Sequence, residues 1–485
     1  MTQSCTELLE KPAPSTSISE TIALEDAGAV QAVHAAMYSE LHGGTYTTTY
    51  MLAPEALGDN SYNRPGTTRL IGQAQNSEGA VPSSWGGTYD LINKANLLIS
   101  AIDEGVISQD RLNRYRGEAY VMRAFAMHHL VRALGYEPGM APAAPTPIAE
   151  TAGWNQGIII RTEPVQTAEQ ADFRGRSTVD EVYAQIRSDL EQGISLLGQS
   201  GTGNPTYWTQ AGAYALQARV ELYARNWSAA ESAASSALSS TTASLVQEGG
   251  VATMFDETAG LNPEGIMVIN VANSAEALGV NSGLSAYTSE QWIAQVPTQS
   301  LMDLYSNDDA RLAWYAPCFE DGNSTALNNC WATHPTIEGG SRTLETQKWN
   351  AEQGQYIDDV PLFRVSEMKL IQAEARINGA PGDPLAPFNE LRQARGIAPV
   401  AALTTDDILE ERRREFAFEG QRYWDLKRLG RDIVKDPTLA AQFEVVETVS
   451  YKDYIILGNL PSGEIALSEA NAEGENVLVQ NPGYE

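Results

Sequence analysis

Between Tyr207 and Leu238 two apolar stripes at helical spacing are separated only by Arg225 and Asn226. Ala213, Leu216, Val220 and Tyr223 form the first, and Trp227, Ala230, Ala234 and Ala237 the second. The small residues recur at intervals of three and four, so a neighbouring helix can approach closely while the Trp wedges the corner. A second unit runs from Phe363 to Arg395, with Met368, Ile371 and Ala375 before a turn at Asn378 to Pro381 and Leu385, Phe388 and Leu391 after it. A helix pair of this kind cannot bury its apolar face alone. It must stack on others, which commits the chain to a helical scaffold.

The spacing is that of a tetratricopeptide-type unit. Further helices are expected over Ile22 to His42, Tyr89 to Ile102 and Leu112 to Leu134. Another should start at about residue 178, where Thr178 and Glu181 form a capping box ahead of Val182, Ile186, Leu190 and Leu197. Three stretches lack this periodicity: Gly43 to Pro82, Ala141 to Gln170, and the Ser-, Gly- and Asn-rich Ser239 to Thr346 with its β-prone run Ile266 to Val271. The tail Tyr451 to Glu485 is also read as irregular. The expected fold is mainly α: a scaffold of helix pairs carrying an irregular, loop-rich layer with short strands. Long structured loops on a rigid scaffold are where binding groups usually sit.

Charge and motif content exclude several functions. The 485 residues carry 62 Asp and Glu against 32 Lys and Arg, a net charge of -30, so backbone binding to nucleic acid has no electrostatic basis. Such an excess of acid suits solubility in concentrated salt. No run reaches the length of a membrane-spanning helix. The sequence lacks a nucleophile elbow, a phosphate loop, a dinucleotide fingerprint and any metal-ligand spacing among its 5 His. No enzyme, cofactor or metal is therefore expected, although an acidic loop could take a structural calcium ion. Cys318 and Cys330 bracket a polar loop, which they close as a disulfide or flank as free thiols according to compartment.

The densest constellation is the segment "ERRREFAFEGQRYWDLKRLG", Glu411 to Gly430. Glu and Arg at helical spacing make ion pairs while the aromatics pack inward, which predicts a clamp at the end of the scaffold. This segment resembles the C-terminal signature of the SusD/RagB family of outer-membrane nutrient-binding lipoproteins. "SWGGTYDLINKANLLI" (84–99), "RGEAYVMRAFAMHHLVRALG" (116–135), "STVDEVYAQIRSDLEQGISLL" (177–197), "VPTQSLMDLYSNDDAR" (296–311), "RVSEMKLIQAEA" (364–375), "FNELRQARG" (388–396) and "QNPGY" (480–484) resemble successive family motifs in order.

The resemblance implies about four tetratricopeptide-like helix pairs in a right-handed scaffold. It implies a tether over 1–19 following a lipidated Cys5, an N-terminal helical region over 20–240 and a C-terminal region over 241–485, packed as one globular unit. It further implies a non-enzymatic, surface-exposed glycan-binding lipoprotein of the outer membrane that serves a TonB-dependent, SusC-like barrel. In that setting the membrane is touched only through the lipid. A peptide-capturing member and a scaffold that binds only proteins are the alternatives. The expected ligand contacts, chosen from loop composition, are Tyr46, Tyr50, Tyr62, Asn60 and Asn63 in the first insertion, Trp154 in the second, and Tyr287, Trp292, Trp314 and Trp331 in the third. Aromatic rings stack on the apolar faces of sugars, and amides bond their hydroxyls.

Overall fold

The computed structural model describes Leu24 and residues 26–484, apart from 64–66, 104, 147–148, 168–169, 257, 259, 272–275, 290–292, 318–335, 338–343, 352–353 and 437–445. Cys5, Cys318, Cys330, Trp292 and Trp331 lie outside the described residues, and with them the lipidation, disulfide and two ligand-contact expectations.

Helix α1 (Ala27–Ser39) starts where the Asp26 carboxylate accepts from the Gly28 amide at 2.8 Å. Helices α2 (Trp85–Ser100), α3 (Gln109–Leu134) and α4 (Val179–Ser200) follow, each packed on the next. The capping box at Thr178 and Glu181 forms as expected, both partners bonding reciprocally. Gly117 and Gly193 let α3 and α4 touch, since a Cβ on Gly193 would lie 2.5 Å from Val121. The first helix-turn-helix unit is α5 (Gln210–Tyr223) and α6 (Trp227–Ser240), broken at Arg225, which takes the left-handed conformation at φ 57°. Helix α7 (Val365–Ile377) packs on the Ala face of α6, and α8 (Leu385–Ala394) and α9 (Thr405–Glu415) pack on α7.

Three expectations need correction. The insertion over 43–82 is not free of helix: short turns form at Thr48–Met51, Ala53–Leu57 and Ile71–Gln75, too brief to show a periodic stripe. The tail contains α11 (Ser462–Asn471), entered at Pro461, in which only Ser468 is buried, so it has no apolar face to announce it. The clamp is not one helix. It breaks after α9, where Phe418 and Gly420 have φ of 65° and 72°, and resumes as α10 (Arg422–Arg428).

The four best-formed strand pairs are antiparallel and short, and they join distant stretches of chain: β1 (Ser61–Asn63) with β3 (Gln295–Pro297), β2 (Gly265–Ile269) with β6 (Val360–Arg364), β4 (Tyr315–Pro317) with β5 (Leu344–Thr346), and β7 (Ile433–Val434) with β8 (Thr448–Val449). One large apolar core runs through both halves, with a small satellite around Leu370, Phe388, Leu391, Ile408 and Phe416.

The clamp is buried and tied to distant segments of the chain. Glu415 is fully buried and accepts from Arg395 at 2.8 Å, Arg364 at 3.1 Å and Arg311 at 3.1 Å. These arginines in turn hold Glu264, Asp309, Glu411 and Glu419. Burial would push the Glu415 carboxyl up, but Arg395 and Arg364 outweigh it and hold it well below the usual carboxylate range. Neighbouring Glu411 is drawn down to about 2, Arg311 and Arg414 overcoming the cost of burial.

Lys435 is buried with its ammonium on the Ala56 carbonyl, and burial lowers its pKa to about 7 against the pull of Asp59. The unfolded chain keeps that proton up to the ordinary lysine value, so stability rises with pH across the interval from about 7 to the unfolded value and is lost as pH falls through about 7. Lys435→Met should flatten part of that rise. Urea midpoints at neutral and mildly alkaline pH test it, and an unchanged slope would mean that water reaches the ammonium.

Candidate functional site

Burial sorts the expected ligand contacts. Tyr46 is 1% exposed, packs on Phe125 and His129, and donates to Thr88 at 3.3 Å. Tyr50 accepts from Arg219 at 2.7 Å beneath the same two rings. Both stand on the short turns that fold back over α3, so they are core and not ligand contacts. Trp314, 1% exposed, donates to the Val251 carbonyl at 2.8 Å, sits edge-on to Phe255 and carries the Lys348 ammonium 4.1 Å from its ring. Asn60 is spent on Glu55 at 2.7 Å and Arg413 at 2.8 Å, and Tyr62 is buried in β1. Trp154 is half-buried, but it joins the C-terminal segment through Asn481 at 3.0 Å, away from the other candidates.

The structure brings two candidates, Asn63 and Tyr287, to one seam. There the first and third insertions are stitched together by β1 and β3, by Ser61 donating to Gln295 at 2.5 Å, and by Thr47 donating to the Ser282 carbonyl at 2.7 Å. Asn63 accepts from Gln295 and donates to the Arg69 carbonyl at 2.9 Å. The Arg69 guanidinium lies over the Tyr287 ring at 4.6 Å and donates to the Ala286 carbonyl. Tyr287 in turn donates to the Asn281 carbonyl at 3.3 Å, and Tyr356 packs against Gly283 on the same stretch, where a Cβ would lie 2.7 Å from it.

Arg69 is the residue that sequence reasoning missed. Most arginines of this acidic chain are tied to carboxylates, whereas Arg69 is half-buried with no carboxylate partner among the described residues. A guanidinium stacked on a ring keeps its remaining N–H groups free along the ring edge. The seam therefore offers an oriented donor fork beside the edge of a ring that is 9% exposed, while the Asn63 amide is spent on Gln295 and Arg69; a donor fork at a ring edge is chemistry that recognises a hydroxylated ring.

A cavity of about 420 Å³ lies beside α2, near Trp85, Tyr89 and Asn93. Its polar groups are largely committed. Asn93 bonds both the amide and the carbonyl of Val165, at 2.8 and 3.1 Å, and the Tyr89 hydroxyl bonds both backbone groups of Ile159. Among the described residues no helix is long and apolar enough to cross a membrane.

Comparison with known proteins bears on the family and the fold. A family model described as "Starch-binding associating with outer membrane" matches residues 9–222, and a "SusD family" model matches residues 319–484. SusD-like protein P38 of Formosa agariphila is 26% identical over 82% of this chain and 83% of its own length. Starch-binding protein SusD of Bacteroides thetaiotaomicron is 31% identical, over 28% of each chain. A solved SusD superfamily structure from Bacteroides thetaiotaomicron superposes with a TM-score of 0.77 at 20% identity, covering 94% of this chain and all of the other, and so shares its fold.

Proposed function

The chain belongs to the SusD/RagB family, and from that premise we propose that it captures a glycan, an oligosaccharide or polysaccharide fragment, at the Arg69–Tyr287 seam and passes it to a TonB-dependent, SusC-like outer-membrane transporter. The observation that carries the site is a guanidinium stacked on a tyrosine ring at 4.6 Å with no carboxylate partner among the described residues. In a chain of net charge -30, an arginine at the joint of two insertions that no described carboxylate neutralises is suited to a ligand. Trp292 and Trp331, on segments of the third insertion, are proposed to add stacking surface. The matched description places relatives at the outer membrane, and a lipid on Cys5 followed by a short tether would hold the protein there without a spanning helix.

The test is a titration of intrinsic fluorescence and heat with neutral oligosaccharides, polysaccharides and peptides, in low and molar salt. A saturable response to a glycan is expected. Arg69→Ala should weaken it about tenfold or more with little change in melting temperature, since stacking and charge-assisted bonds are worth roughly 1–3 kcal/mol, whereas Tyr287→Ala, which empties a ring only 9% exposed, should lower the melting temperature as well as the affinity. Unaltered affinity in both variants would remove the seam as the site. A response to peptides alone would replace the glycan reading with peptide capture.

A further inference from the structure

On the opposite kind of surface, the helical scaffold itself, α1, α3 and the loop leading into α5 line a half-open cavity of about 570 Å³. Its size falls within the range of small-ligand pockets. Four rings gather around it: His34 lies flat on Tyr115 at 3.9 Å, Tyr38 meets Tyr207 edge to face at 5.0 Å, and the Arg114 guanidinium sits 5.4 Å from the Tyr207 ring.

The wall is organised by one carboxylate that never reaches solvent. Glu118 is fully buried, and its oxygens take His34 Nε2 at 2.5 Å, the Tyr38 hydroxyl at 3.0 Å and Arg114 Nε at 2.8 Å. The Trp208 amide then donates to the Tyr38 oxygen at 2.9 Å, which fixes that ring from its other side. Three lining groups are thus held rigid by residues beneath them, the arrangement that makes a binding wall effective. Meanwhile the Nη groups of Arg114 and the whole Arg111 guanidinium have no hydrogen-bond partner among the described residues. Arg111, Arg114 and Glu118 recur at three and four along α3, so they share one face.

We infer that this cavity is a second saccharide site, which binds one or two neutral sugar units against Tyr207, the outer ring of a stack in which His34 lies between it and Tyr115, and beside the donors of Arg111 and Arg114 that no described residue takes. The inference rests on the glycan reading above but places a ligand on different elements. Neutral sugar is favoured over an anion because Glu118 and Glu276 balance the two arginines that face the cavity, and the whole chain at -30 repels polyanions. A polymer held at both places would gain from the linkage, its second contact becoming intramolecular.

The experiment is a calorimetric titration of neutral gluco-, manno- and galacto-oligosaccharides into four proteins: the natural chain, Arg69→Ala/Tyr287→Ala, and that double variant carrying either Tyr207→Ala or Arg111→Ala. The expected result is that the double variant keeps a saturable response, which Tyr207→Ala lowers about tenfold and Arg111→Ala lowers severalfold. Arg111 is exposed and unpartnered, so its variant keeps the fold even if Tyr207→Ala disturbs the wall, and circular dichroism checks both. Loss of all binding in the double variant overturns the second site and leaves the seam standing. Persistent binding that ignores both cavity substitutions also overturns it. Unchanged affinity in the double variant, abolished by Tyr207→Ala, upholds the cavity and removes the seam; no response from the natural chain removes both.

Discussion

Glu415→Gln should destabilise the protein by about 3–5 kcal/mol, the usual result of removing one partner from a buried ion network and leaving the others unpaired. Glu415 is the point where Arg311, Arg364 and Arg395 meet, and all three guanidinium groups are themselves buried. The amide keeps the shape of the carboxylate but brings a donor against donors. Urea unfolding gives the number, and a loss below about 1 kcal/mol would mean that water penetrates the lattice. Adding Arg395→Met to Glu415→Gln should cost less than the sum of the single changes, because it removes one of the orphaned cations. The natural lattice also sets an acid limit. Glu411 and Glu415 have folded values below their unfolded ones, so their contribution is present above the unfolded carboxylate range and is lost as pH falls through about 2 for Glu411. Glu415→Gln should bring the loss of stability to neutral pH.

That lattice also shows where sequence reading stops. The alternation of acid and base over Glu411 to Arg428 announced ion pairs, but helical spacing suggested partners three and four residues away. Three such pairs form, Arg414 with Glu410 and with Glu411, and Arg428 with Asp425. Glu415 instead meets Arg364 and Arg311 across 51 and 104 residues, and only the fold brings them together. The helix pairs were legible because burial on one face imposes a period on the residues themselves, as with Ala230, Ala234 and Ala237. Loop aromatics have no period. Tyr46 and Tyr287 look alike in composition, yet one is turned onto α3 and the other lies at the seam under Arg69. Arg69 was invisible for a related reason: its distinction is the absence of a carboxylate partner among the described residues, and absence leaves no mark on neighbouring residues.

Gly420→Ala should be at least as damaging as the loss of Glu415, and for a purely steric reason. The break between α9 and α10 passes directly under the turn that carries Tyr50. A Cβ at position 420 would lie 2.1 Å from the Tyr50 carbonyl oxygen and 2.8 Å from the Met51 Cα, both backbone atoms that no rotamer change can move aside. The position also has φ of 72°, where any side chain adds strain of about 1–2 kcal/mol. The Gly420 amide donates to the buried Glu55 carboxylate at 3.0 Å, so a shift that relieved the clash would break that bond as well. Together these place the cost on the order of 4–5 kcal/mol, in the range where a single change threatens folding. Gly86→Ala on α2 is the matching control, since a Cβ there meets nothing within 4 Å and the residue lies within the helix. It should leave the melting temperature unchanged or raise it slightly. A Gly420→Ala protein that melts with the Gly86→Ala control would show that the first insertion yields at Tyr50, and that the seam above it is a movable part rather than a fixed platform.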